Sequence, residues 1–141
     1  MQTIKEMIEN RELNIIREGT TVKEAVFYMS EKSVGLVPVF KGEKLTGVFS
    51  ERDVMKRVIA KNKSIENTKV EEVMSKNLIL AQSDETYESI LAKMRDARIR
   101  HILIIEDEKL IAVLSMRDLL EIDLTVHKTT VEVLNNYIYS K

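Results

Sequence analysis

The sequence predicts a mixed α/β (α+β) chain made of two repeats, each a helix, two strands and a helix with a short strand in front. The first observation behind this is a self-match. Under the constant shift that carries Asp53 onto Asp118, residues 21–55 align with residues 86–120 without a gap, and Ser50-Glu51-Arg52-Asp53 falls on Ser115-Met116-Arg117-Asp118. Identities are spread along the match, among them Thr21/Thr86, Met29/Met94, Val48/Val113 and Arg52/Arg117. The second is helical spacing of apolar residues ahead of each strand pair, and the third is a pair of short apolar runs separated by turn-forming residues. A copy this short cannot bury a core alone, so the two should pack as one pseudo-symmetric unit.

The elements follow in order. Val22, Ala25, Val26 and Met29 stand at i, i+3, i+4 and i+7, as do Tyr87, Ile90, Leu91 and Met94, which makes one apolar helix face in each copy. Residues 36–40 and 102–105 are continuous apolar runs, followed by Lys41-Gly42-Glu43-Lys44 and Glu106-Asp107-Glu108-Lys109, and then by second strands at 45–49 and 110–114. After Ser50 and Ser115 the period changes. Val54, Met55, Val58 and Ile59 recover helical spacing, and Leu119, Leu120 and Leu124 do so less fully. A short extra strand is expected at 13–16 and at 78–81. Upstream, Ile4-Lys5-Glu6-Met7-Ile8 resembles Val70-Glu71-Glu72-Val73-Met74 with a one-residue slip. The polar stretch 61–68 reads as an exposed linker. These signals divide the chain into repeats at 1–64 and 65–124, with a C-terminal helix in 125–141. That helix carries Val126, Val131, Val133, Leu134, Tyr137 and Ile138, and either packs on its own module or makes a dimer contact.

Composition narrows the function. A chain of 141 residues without cysteine excludes disulfides, thiol catalysis and Cys-ligated zinc. Its 22 basic and 23 acidic residues nearly cancel, which argues against nucleic acid as a partner. No apolar run has the length of a signal peptide or a membrane span, so the expected setting is cytoplasmic, with no membrane partner. Catalysis finds no support: His101 and His127 are far apart, and no Gly-x-Ser-x-Gly, His-Glu-x-x-His or Walker-type string occurs. The expectation is therefore no enzyme, no catalytic residue and no metal site.

Gly35-Leu36-Val37-Pro38-Val39, a hairpin, and Gly47-Val48-Phe49-Ser50-Glu51-Arg52-Asp53 opening a helix, the whole then repeated, resemble a tandem cystathionine-β-synthase (CBS) domain pair, or Bateman module. The similarity covers residues 4–124 and includes Val70-Glu71-Glu72-Val73-Met74-Ser75 leading into the second copy. The resemblance implies two repeats packed sheet to sheet about a pseudo-twofold, with two clefts between them. It implies an adenosyl ligand there (AMP, ADP, ATP, NAD or S-adenosylmethionine), a homodimer, and a separate regulated protein. By position, Asp53 and Asp118 would accept hydrogen bonds from ribose hydroxyls, beside Ser50, Arg52, Ser115 and Arg117. Gly35, Leu36, Val37 and Pro38, with Ile99, Arg100, His101, Ile102 and Leu103, would line the adenine and phosphate sides.

The chemistry of these residues suits such roles. An ionised Asp only accepts hydrogen bonds and a vicinal diol offers two donors, while the serine stands where a helix N-cap belongs. The same Ser-x-x-Asp spacing is also a capping box that merely starts a helix. The copies differ: Arg98-Ile99-Arg100-His101 stands where the first has Ser33-Val34-Gly35-Leu36, so cationic charge suited to phosphate gathers in the second copy. Alternatively that charge forms a solvated edge or pairs with Glu106, Asp107 and Glu108. Leu103 replaces the first copy's Pro38, and Ala112 its Gly47. The expected mechanism is a sensor in which ligand phosphates neutralise Arg100 and His101 while Asp118 holds the ribose. The alternative is a ligand-free structural, dimerisation and protein-interaction module.

Overall fold

The computed structural model describes residues 4–122 and 128–139. In chain order the elements are α1 (Ile4–Ile8), β1 (Ile16–Arg17), α2 (Val22–Lys32), β2 (Leu36–Lys41), β3 (Lys44–Ser50), α3 (Glu51–Asp53), which continues as a π-helix (Val54–Ile59), α4 (Val70–Val73), β4 (Leu80–Gln82), α5 (Tyr87–Ala97), β5 (His101–Glu106), β6 (Lys109–Ser115), α6 (Met116–Ile122) and α7 (Lys128–Tyr139). The expected class holds: the chain is mixed α+β, and each repeat builds its own three-stranded sheet, β1-β2-β3 and β4-β5-β6. In both sheets the short first strand runs parallel to the second, and the second and third form an antiparallel hairpin. Both hairpins slip register at the aligned position, leaving Thr46 and Ile111 unpaired as bulges. Leu124, Val126 and His127 lie outside the described residues, as does the side chain of Val131.

Three local features depart from the periodicity. The parallel strands start later than expected, at Ile16 and Leu80, because pairing opposite Val39 and Leu103 sets their place. The segment after α3 winds as a π-helix, in which bonds such as Ala60 N–H to Met55 O at 2.9 Å span five residues, and Val58 is buried while Met55 and Ile59 are each 58% exposed. The linker is exposed at residues 61–64, 66 and 67, but Ile65 is half-buried and Thr68 is buried. The reason lies in α2, whose first N–H groups need acceptors. Val22 N–H donates to Thr68 O at 2.9 Å and Lys23 N–H to Ile65 O at 3.0 Å. Thr21 and Glu24 complete that start as a capping box.

The chain folds into two compact units, one Asn14–Leu78 and the other made of the described parts of Met1–Leu13 and Ile79–Lys141. In the first, α4 and the residue after it supply Val70, Val73 and Met74 to a core with Val22, Ala25, Val37, Val39, Phe49 and Val58. Ser75 pairs with Val48 through two backbone hydrogen bonds of 2.9 Å. In the second, α1 supplies Ile4 and Ile8, one turn apart, to a core with Ile90, Leu91, Met94, Ile102, Ile104, Leu114 and Leu119. Val133 of α7 is buried there, and Leu134 and Tyr137 pack against it, so the C-terminal helix does pack on its own module. Sequence repeats and compact units are thus different divisions of the chain.

Gly47 shows how close the α4 segment comes. A β-carbon there would stand 2.6 Å from Met74 Sδ and 2.8 Å from the Ser75 carbonyl oxygen. Backbone cannot yield as a side chain can, so Gly47→Ala is expected to cost about 1–3 kcal/mol, readable in urea denaturation. The aligned Ala112 is already buried in the other core. Its replacement by glycine is expected to cost less, about 0.5–1 kcal/mol from backbone freedom.

Candidate functional site

Each repeat ends its hairpin at the same corner. Helices α2 and α5 stop at left-handed residues, Ser33 with φ 56° and Arg98 with φ 55°. The next N–H groups, of Val34 and Ile99, donate back to Met29 O and Met94 O at 3.0 Å. The chain then enters β2 or β5 beside the start of the helix after the hairpin. Glu51 N–H donates to Gly35 O at 3.0 Å, and Met116 N–H to Arg100 O at 2.8 Å. Leu36 sits opposite Ser50, and His101 opposite Ser115. The structure therefore gathers Gly35 and Leu36 with Ser50 and Asp53, and Arg100 and His101 with Ser115 and Asp118. Val37 and Ile102 point into their cores, Pro38 and Leu103 are buried, and Ile99 is half-buried. Arg52 and Arg117 are exposed.

Both acids serve their own helix starts. Ser50 N–H donates to Asp53 Oδ2 at 3.0 Å and Asp53 N–H to Ser50 Oγ at 3.3 Å; in the second corner the same bonds measure 2.8 and 3.1 Å. Beyond that the corners differ. Asp53 is 6% exposed, and its nearest cation is Arg57 on the next turn, with Nε 3.6 Å from Oδ1. Asp118 takes a bidentate pair from Arg11: Nη1 donates to Oδ2 at 2.9 Å and Nη2 to Oδ1 at 3.2 Å. The guanidinium of Arg100 lies over the Tyr137 ring, 5.6 Å from its centroid. Where Gly35 stands, a β-carbon would collide with the Glu51 side chain. The second corner pairs Arg100 with Met116 instead, and Met116 is buried in the core. A hollow of about 440 Å³ next to the first corner is lined by Val26, Met29, Ser30, Ser33, Val34, Gly35, Glu51 and Val54, and by neither Ser50 nor Asp53.

Burial raises the Asp53 carboxyl above the ordinary 3.8, against the pull of the Ser50 hydrogen bonds and of Arg57 and Arg52. The folded state thus holds this proton more tightly than the unfolded chain does. The stability this contributes is full below the ordinary value and is lost as pH rises through the raised one. In denaturant titrations over that interval, the advantage of wild type over Asp53→Asn is expected to shrink as pH rises. An advantage that grows with pH would contradict the assignment.

Sequence reasoning missed Arg11 and Tyr137. Arg11 belongs to the first repeat of the sequence, yet it binds an acid of the second, and only the packing of α1 reveals this. The Asp53–Arg57 pair was in principle legible as an i, i+4 pair on a helix. Among the described residues, no group of three or more His, Asp or Glu side chains is placed to hold a metal ion, and no helix is long and apolar enough to cross a membrane.

The chain as a whole has counterparts in known proteins. The CBS domain model matches residues 4–60 and again 70–124. The chain belongs to the CBS-domain family. CBS-domain pairs are generally regulatory ligand-binding modules. The CBS domain-containing protein CBSX3, mitochondrial, of Arabidopsis thaliana is 34% identical over 125 residues, 84% of this chain and 60% of that protein. Homoserine O-acetyltransferase of Methanococcus vannielii is 34% identical over 111 residues, 78% of this chain but only 22% of the enzyme. The matched CBS region is thus a part of a larger, multidomain enzyme. The solved structure of a putative signal-transduction protein with CBS domains from Burkholderia ambifaria aligns with a TM-score of 0.80 at 25% identity, covering 85% of this chain and 92% of that one.

Proposed function

We propose that this CBS pair is a regulatory sensor of an adenine nucleotide or related adenosyl compound (AMP, ADP, ATP, NAD or S-adenosylmethionine), acting as a homodimer in the cytoplasm on a separate protein. The observation that supports this most is the corner built twice from distant residues, with a serine, an acid and the entry to a strand tied by one backbone hydrogen bond. A carboxylate at a helix start beside exposed basic groups suits ribose and phosphate together. CBS domains commonly bind adenosyl ligands. In this reading Asp53 and Asp118 hold ribose hydroxyls, and Arg100 and His101 face phosphate. No residue is given a catalytic role.

A second reading has its own support. Both acids are already satisfied by their capping boxes, and Asp118 also by Arg11, as expected of a ligand-free interaction module. A thermal-shift screen of the five compounds at millimolar concentration separates the two. The sensor reading expects at least one compound to raise the melting temperature by several degrees, and a flat response to all five would leave the interaction module.

A further inference from the structure

The bidentate hold of Arg11 on Asp118 bears on what the second corner accepts, and the point rests on the sensor reading. The ion pair spans 107 positions of sequence and is only part-exposed, with 32% of the Arg11 side chain and 17% of the Asp118 side chain open to solvent. Asp118 Oδ2 accepts from Ser115 N–H and Arg11 Nη1, and Oδ1 from Arg11 Nη2. A ribose diol would donate to those same oxygens. Among the described residues, Asp53, the aligned acid, has no such bidentate partner: its cation is a single longer contact from its own helix, at 3.6 Å.

We infer that Arg11 is a specificity-determining residue of the Asp118 corner, an internal occupant that gives way only to a ribose carrying a phosphate. When a diol takes the carboxylate, the guanidinium loses its anion in a partly buried place, which is costly. A phosphate restores it, because the planar fork that fits a carboxylate also fits a phosphate. A bare nucleoside breaks the pair and returns nothing. The corner should therefore prefer AMP to adenosine by more than an added charge in water would give, and the preference should depend on the fork.

The test measures AMP and adenosine binding by calorimetry in protein carrying Asp53→Asn, so that only the Asp118 corner is read, with Arg11 intact, Arg11→Met or Arg11→Lys. With Arg11 intact, AMP is expected to bind at least tenfold more tightly than adenosine. Arg11→Met should weaken AMP, strengthen adenosine and collapse the ratio toward one, and Arg11→Lys, which keeps the charge without the fork, should fall between. If Arg11→Met does not fold, Arg11→Lys alone decides: an unchanged ratio overturns the inference and leaves the sensor reading. AMP binding by wild type that vanishes with Asp53→Asn alone does the same. No binding of either probe by any form, wild type included, overturns the inference, and the five-compound screen then decides the sensor reading separately.

Discussion

Replacing Phe49 with alanine is expected to destabilise the Asn14–Leu78 unit by about 3–5 kcal/mol, among the largest effects open to a single substitution in this chain. Phe49 is fully buried and lies opposite Val37 in the β2–β3 hairpin, within the core that also takes Val70, Val73 and Met74. Truncation removes the apolar area and leaves a cavity whose walls, two strands and α2, are fixed by backbone hydrogen bonds. Leu114 is its aligned counterpart, opposite Ile102, and Leu114→Ala is expected to cost about 2–5 kcal/mol. Urea denaturation with hydrogen exchange read unit by unit checks both. Losses below about 1 kcal/mol would contradict the assignment of these side chains to the two cores.

The second large effect is on ligand-linked stability. A nucleotide at a hundred times its dissociation constant stabilises the protein it binds by about 2.7 kcal/mol. Hydrogen bonds to a charged group are worth about 1.5–3 kcal/mol, so loss of the Asp118 carboxylate is expected to weaken binding at that corner about a hundredfold. At the same concentration the stabilisation from that corner then falls to about 0.4 kcal/mol. The readout is the melting shift with ligand against without, which removes the separate effect of Asp118→Ala on the Arg11 pair and the helix cap. Arg100→Ala should reduce the shift for phosphorylated ligands, and Asp53→Ala tests the other corner. Equal shifts in wild type and all three variants would remove these residues from the site.

The fold was legible where local pattern and tertiary need agree. The helical spacing of Val22, Ala25 and Met29 and the apolar runs of the hairpins are each set by one buried face, so periodicity exposes them. What stayed hidden depends on packing between distant segments. Nothing in Ile4 or Ile8 says that their helix joins the core of residues 79–139, and so nothing pointed to Arg11 as the partner of Asp118. The buried Thr68 reads as linker in the sequence because its task is a backbone one, accepting from α2. Ser50 and Asp53 could be named in advance, with both of their readings, since a capping box and a ribose grip use the same spacing.

The most direct measurement is an AMP titration followed by amide nitrogen-15 NMR. The sensor account predicts saturable shifts concentrated on Glu51, Asp53, Met116 and Asp118 and on the strand starts at Leu36 and His101, reversed when AMP is removed. Unchanged resonances at both corners up to millimolar AMP and the other adenosyl compounds, or shifts confined to residues remote from them, would contradict it.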